Sequence, residues 1–473
     1  FLADSGYAAE QLAEELLLSE GLYPNQENLE PLLLKTSGEA LLPVLARLFF
    51  VGWPVEQELC TAVIPGVMLN SMLACGMLTR AEGKLEAAAV LIPFRNHLIA
   101  CDNPRLRANS PDVVVGPAGS STQFLARLAI GGEDETTLDM GSGSGVLALQ
   151  AAAFSRRITG TDVNARTLPF ASFSAALNGI RNAEFLCGDV FDSVAGRRFS
   201  RIIANPPFFL SPAKKFTYCD SPLELDGFAR RLAVEAPSYL EEGGYFQMIC
   251  QWVDLEQQRW EERLAEWTAD SGCDVLVLLA PRLTPIAYAE VRAKEARLSQ
   301  SGPPEFNFAD RVQYLRERGV TSIVSGVITM RRRSGVSNWF STLNAEPAGA
   351  NVGRGIVDRF DCLTFLATKS PEQMFATRFC FAADVQLETI SEPGQPEWTA
   401  TSIELVKSET LTDRLRLDAT IAGCLPLFDG ERTLREVAQA VAARLLITAG
   451  DAEIRCLSLT RRLLQTSYLQ TVG

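Results

Sequence analysis

Histidine is almost missing: the 473 residues include one, His97. A metal centre built on several imidazoles is thereby excluded, and no nucleophile pattern accompanies His97 to make it half of a catalytic dyad. Eleven cysteines occur, never as a close pair. An odd, scattered set is the usage of a reducing compartment, with most members serving as small core hydrophobes. Long uniform apolar runs are also lacking: AAAVLIPF, ahead of Arg95, is too short for a membrane span. No charged-then-apolar leader follows Phe1, so a cytoplasmic location and no membrane partner are expected. Positive charge is in deficit, 44 Lys and Arg against 57 Asp and Glu for a net charge of -13. That opposes indiscriminate attraction to nucleic acid without excluding a local basic patch.

What is present is ordinary globular composition, 47% hydrophobic and 21% charged, in a chain too long for one core. Residues 1–110 read as a mainly helical accessory domain. LAEELLLS, ALLPVLARLFFVG from Ala40 and VMLNSMLACGML from Val67 carry helical apolar periodicity, and Gly83 separates short runs suited to a hairpin. Helices followed by a hairpin suit a winged-helix module that contacts nucleic acid or protein, or equally a structural cap. Arg80, Lys84, Arg95, Arg105 and Arg107 could face phosphates or solubilise a linker. Residues 336–383 read as a β-containing connection. Residues 384–473 read as a small C-terminal accessory domain with two amphipathic helices, TLREVAQAVAARLL from Thr433 and LSLTRRLLQTSYL.

Between these lies residues 111–335, a β/α alternation: TTLDM, RITGTD, AEFLCGD, SRIIAN, GYFQMI, CDVLVLLA and TSIVSGVITMRR. An α/β fold with a Rossmann-like sheet of seven strands follows. The polar stretch assigned between the sixth and seventh strands holds Trp252, Trp260, Trp267, Tyr288, Phe306, Phe308 and Tyr314, read as helical core residues. Asp139, Asp162, Asp189 and Asn205 fall at or just beyond strand ends, where such sheets assemble ligand sites. The turn LDMGSGSG places Gly141, Ser142, Gly143 and Gly145 against a nucleotide-like ligand. A dinucleotide fingerprint would need glycine where Val146 stands, and the Lys-Ser/Thr of a phosphate loop is missing. The acidic Asp139 suits a cofactor with a cationic amino-acid part better than a diphosphate. Ser121, Thr122 and Gln123 are expected to cap a helix at the pocket entrance.

LDMGSGSG together with TDVN, GDVF and ANPPF resembles the class I S-adenosylmethionine-dependent methyltransferases, specifically the small-domain N-methyltransferases that include release-factor glutamine and RNA base enzymes. The resemblance covers roughly residues 112–335 and implies S-adenosyl-L-methionine as cofactor. By it, the Gly141–Gly145 turn would pass under the methionine part, with Asp139 orienting its ammonium directly or through water. Asp162 would take the ribose hydroxyls, with Val163 beside it, and Asp189 with Val190 would meet the adenine. Asn205 and the Pro206 carbonyl would accept hydrogen bonds from a target NH2. Pro207 would stiffen the loop, and Phe208 or Phe209 would pack on a planar amide or base.

The same clamp accommodates a base amine or a glutamine amide. Asn-Pro-Pro-Phe resembles several RNA enzymes, and with the winged-helix reading it puts N-methylation of a base in structured RNA first. Protein glutamine, for example in a release factor, is the alternative, supported by the net acidity. Thr122-Gln123 resembles the Thr-Glu pair of the glutamine enzymes, with Gln123 in place of the carboxylate. Asn205 as first motif residue disfavours the Asp-Pro-Pro-Tyr type of DNA enzyme. A nonenzymatic cofactor-binding scaffold is a third reading, and it would predict erosion at Asn205 or Asp162.

Overall fold

The computed structural model of the chain describes residues 1–15, 23–25, 27–107, 110–117, 119–132, 135–212, 214, 216–298, 307–344, 346, 347, 349, 352–393, 399–412 and 414–472. The end of the LAEELLLS helix reading, Phe306, and parts of the glycine-rich segment near 350 lie outside them. Contacts sort the chain into two units. The first is Phe1–Ala126, Gly132–Gly272 and Ala280–Ser334; the second is Arg127–Gly131, Cys273–Leu279 and Gly335–Gly473.

The strands that organise the fold are β1 (Glu135–Met140), β2 (Ser155–Asp162), β3 (Ala183–Cys187), β4 (Phe199–Ala204), β5 (Leu240–Leu255), β6 (Cys273–Leu279), β7 (Val320–Arg332) and β8 (Phe340–Leu343). The helices used below are α1 (Ser120–Leu128), α2 (Val146–Ala151), α3 (Thr167–Leu177), α4 (Gly227–Glu235), α5 (Trp260–Thr268), α6 (Pro285–Leu298) and α7 (Phe308–Glu317). Six of these strands form the mixed sheet of the first unit. In the first unit they run β3-β2-β1-β4-β5-β7. β1 to β5 are parallel, and β7 returns antiparallel to β5 with Tyr245 opposite Arg331. Near-continuous apolar runs such as Ile202-Ile203-Ala204 are buried on both faces, as a helix-covered parallel sheet requires.

One expectation needs correcting. Trp252 is not in a helix after the sixth strand but in β5, and Trp260 and Trp267 lie in α5, ahead of β6. β5 continues through QWVDL because its last residues pair with β7, a long-range partner invisible to local periodicity.

The N-terminal part of this unit packs short helices and two hairpins around Leu48, Phe49, Leu85 and Leu91. The first hairpin, Leu78–Ala81 with Lys84–Ala87, turns at Glu82 and Gly83, both at positive φ (50° and 79°), the backbone a tight two-residue turn demands. Phe170 and Leu177 of α3 pack against the same core. His97 sits in the second hairpin, its Nδ1 2.9 Å from Gln150 Nε2. Burial and then Arg95 lower its pKa.

The second unit contains the parallel pair β6 and β8, with Val275 opposite Phe340. Its helices Leu434–Leu445 and Ala449–Gln465 close a core of Leu434, Val437, Leu463, Leu464 and Tyr468. Thr433 and Glu436 form a reciprocal capping box at the first of these helices. Much of the region read as a β-containing connection is one helix, Val352–Thr368, joined by short strands. Gly353 and Gly355 lie inside this helix. They serve close approach: a Cβ on Gly353 would collide with the Ala129 carbonyl, and one on Gly355 would stand 2.5 Å from Thr410 Cβ.

Candidate active site

β1 lies between β2 and β4, the point at which the strand order reverses and a crevice opens over the carboxyl ends. Met140 pairs with Thr161 on one side and Ala204 on the other, so Gly141, Asp162 and Asn205 leave the sheet side by side. The glycine turn is tied to β2 by Gly141 and Ser142, whose N–H groups both donate to the Thr161 carbonyl at 2.9 Å. Gly141, Gly143 and Gly145 all hold positive φ, 73°, 54° and 86°. At Gly143 a Cβ would meet open space, so conformation rather than crowding selects glycine there.

Asp139 is 1% exposed beneath this turn. Its Oδ2 accepts from Ser142 Oγ at 2.8 Å and from the Ala148 N–H of α2 at 2.9 Å. Among the described residues its Oδ1 has no hydrogen-bond partner. Burial pushes its pKa up to about 6 against the opposing Ser142 and Ala148 bonds. A buried, unspent acceptor at the base of a glycine turn fits a ligand that brings a cationic donor, and suits a phosphate poorly.

Asp162 closes β2. Its Oδ2 accepts from Gly143 N–H and its Oδ1 from Asn164 N–H, each at 2.8 Å. Burial raises its pKa, offset by those two bonds. Val163, the next residue, is 64% exposed beside it. Asp189, beyond β3, is exposed and ion-paired to Arg231 Nη1 of α4 at 3.0 Å. Val190 after it is buried at φ 51°. Gly188 N–H donates to the Asp162 carbonyl at 3.0 Å, which keeps the second and third strand ends together.

Asn205 follows β4, and its side chain has a defined orientation. Nδ2 donates to Thr122 Oγ1 at 2.9 Å and to Ser121 Oγ at 3.4 Å. α1 begins at Ser120, so Ser121 and Thr122 occupy its first turn and serve Asn205 rather than capping the helix. Gln123 is set apart from this pair: its Nε2 reaches the Pro117 carbonyl at 3.5 Å. With both Nδ2 contacts directed at hydroxyls, Oδ1 faces away as an acceptor. Pro206 is buried, Pro207 half-buried, and the rings of Phe208 and Phe209 meet edge to face with centroids 5.3 Å apart.

Sequence reasoning missed three contributors to this loop. Tyr288 Oη accepts from Leu210 N–H at 3.0 Å, Arg311 Nη1 donates to the Leu210 carbonyl at 2.7 Å, and Arg292 lies over the Phe209 ring. They stand between β6 and β7, far along the chain from the motif, and no local pattern marks them.

Residues 119–266 match the family model described as "Methyltransferase small domain". The chain is 30% identical over 130 residues to ribosomal RNA small subunit methyltransferase C of Alcanivorax borkumensis, covering 26% of this chain and 36% of that protein. It is 32% identical over 143 residues to a release factor glutamine methyltransferase of Xylella fastidiosa, covering 28% of this chain and 51% of that protein. A ribosomal protein uL3 glutamine methyltransferase of Xylella fastidiosa is 29% identical over 134 residues, covering 26% and 42%. The chain thus spans about half or less of the length of these relatives. Glycine turn, strand-end acids and Asn-Pro-Pro-Phe loop all fall within the matched residues. Residues 119–266 thus match a methyltransferase small domain, and that part of the chain is similar to release-factor glutamine and RNA methyltransferases.

Proposed function

We propose that the protein methylates the side-chain amide nitrogen of a glutamine in a protein substrate, using S-adenosylmethionine. The observation that carries the choice of glutamine is the number of glutamine enzymes among the similar proteins, while Asn205, whose Nδ2 is held by Thr122, leaves Oδ1 to accept from any planar NH2 target. Bound S-adenosylmethionine supplies an electrophilic methyl on its sulfonium. Asn205 Oδ1 and the Pro206 carbonyl take the two hydrogens of the target NH2, which enriches and aims the nitrogen lone pair. Phe208 supplies a flat apolar wall for the planar amide. Asp139 and the Gly141–Gly145 turn with Ser142 would hold the amino-acid part of the cofactor, Asp162 and Val163 its ribose side, and Asp189 and Val190 its adenine.

This reverses the order of substrates expected from the motif alone. Glutamine enzymes weigh heavily among the similar proteins. Three of the five basic residues near the N-terminal hairpins are spent in ion pairs: Lys84 pairs with Glu56, Arg105 with Glu86 and Arg107 with Asp112. A base amine in RNA is the second reading, favoured by the similarity to the ribosomal RNA enzyme and by the Phe208-Phe209 pair. Residues 111–335 are assigned the methyl transfer, with 1–110 and 384–473 as accessory domains and 336–383 connecting. Among the described residues no helix is long and apolar enough to cross a membrane. Incubation with methyl-labelled S-adenosylmethionine and separated protein and RNA fractions tests the choice. Label is expected in protein; label confined to RNA would defeat the glutamine reading.

A pH dependence follows from Asp139. Its pKa of about 6 lies above the ordinary carboxyl value of 3.8. The stabilisation that this group gives the cofactor-free fold is therefore complete below pH 4 and is lost as pH rises through about 6. Cofactor binding runs the other way, because the ammonium needs the ionised carboxylate. Calorimetry should find affinity about tenfold weaker at pH 5 than at pH 7. Asp139→Asn should flatten that slope; a slope surviving in the variant would remove Asp139 from the cofactor pocket.

A further inference from the structure

Of all the buried charged groups near the catalytic loop, Arg292 is in the most unusual position. It lies on α6 and is 9% exposed, and its guanidinium carbon sits 3.7 Å from the centroid of the Phe209 ring. Nη2 pairs with Glu295, while Nε and Nη1 are buried without hydrogen-bond partners among the described residues. Burying a cation with two unmatched N–H groups is costly, and the compensating contact here is the flat face of Phe209. Phe209 in turn meets Phe208 edge to face, at 76° between ring planes. Guanidinium, Phe209 ring and Phe208 ring are therefore in contact one after the other, the first over a ring face and the second edge to face, ending at the wall against which the acceptor amide is expected to lie.

The backbone of the same loop is fastened by the same insertion. Tyr288, one helical turn before Arg292, takes the Leu210 N–H and donates to Gln251 Oε1 at 2.9 Å. Arg311, from α7, donates to the Leu210 carbonyl and, at 3.4 Å, to Ser211 Oγ. Phe209 itself exchanges backbone bonds with the returning chain, donating to Cys219 and accepting from Ser221. All three fastening side chains lie beyond residue 266, where the methyltransferase small-domain match ends. The common domain supplies the reacting loop, and this chain's own α6 and α7 fix its far side.

We propose that Arg292 is a positioning residue for methyl transfer, setting the Phe208-Phe209 wall by stacking on Phe209, with Tyr288 and Arg311 anchoring the adjoining backbone. The inference rests on the reading of the Asn205 loop as the catalytic one. It separates from the choice of acceptor because loop order is measured without any acceptor.

The test uses the full chain with Arg292→Met, which keeps the side-chain length and loses the charged plane. Hydrogen exchange of the 208–211 amides should speed up about tenfold, and turnover on whichever acceptor the wild type uses should fall about tenfold, while the cofactor Kd stays within about twofold. Arg292→Met combined with Phe209→Leu should exchange no faster than Phe209→Leu alone, since the ring that Arg292 acts through is gone. That cycle decides even if the single variant is destabilised. Wild-type exchange over 208–211, wild-type turnover, or additive effects in the cycle would each overturn the proposal. A wild-type protein that transfers no methyl to glutamine would refute the glutamine reading and leave the exchange result to decide the role of Arg292.

Discussion

Asn205→Ala should lower turnover by roughly 100- to 1,000-fold while leaving S-adenosylmethionine affinity within about twofold. The asymmetry follows from where the side chain spends its hydrogen bonds. Nδ2 is tethered to Thr122 and Ser121, neither of which belongs to the glycine turn, and Oδ1 is the atom proposed to accept from the target nitrogen. Alanine removes a group that acts on the reacting nitrogen and leaves Asp139, Asp162 and the turn intact. An amide nitrogen is a poor nucleophile, so losing one of two polarising acceptors is felt in the transition state more than in binding. Thr122→Val should reproduce part of the loss by freeing the amide to rotate. Equal losses of turnover and cofactor affinity in Asn205→Ala would show that Asn205 supports the cofactor pocket instead.

The second large effect is expected at Asp162. Its two oxygens take the N–H groups of Gly143 and Asn164, so the carboxylate fixes the glycine turn as well as facing the crevice. Asp162→Ala unpairs both donors and removes the proposed ribose contact, and cofactor Kd should rise about 10- to 100-fold. At saturating cofactor the turnover should largely recover. Calorimetric titration of the variant gives the affinity, and an unchanged Kd would contradict the ribose role.

Much of this site was legible because its chemistry is local. A strand ending in Asp139 and running into three glycines states a tight turn without reference to anything distant, and the turn indeed holds all three at positive φ. Acidic residues recurring at strand ends announce the carboxyl edge of a parallel sheet in the same way. What was illegible depends on partners far along the chain. Thr122 stands 83 residues from Asn205, and nothing in its neighbourhood says that it orients an amide rather than caps a helix. Tyr288 reads only as a helical core residue and Arg292 as one more charge of a polar stretch until α6 is laid against the loop. The Val352–Thr368 helix was hidden by Gly353 and Gly355, whose small size answers close backbone approach, a demand the linear pattern does not display. The eighth strand is only four residues long, too short to announce itself.

The central claim is that the Asn205 clamp holds a planar amide nitrogen. Mass-spectrometric localisation of the transferred methyl in the labelled fraction tests it most directly. The account predicts a single methyl on the side-chain amide nitrogen of a glutamine, lost in Asn205→Ala. Methyl found on an RNA base with protein unlabelled, or on an oxygen or carbon atom of any acceptor, would contradict it.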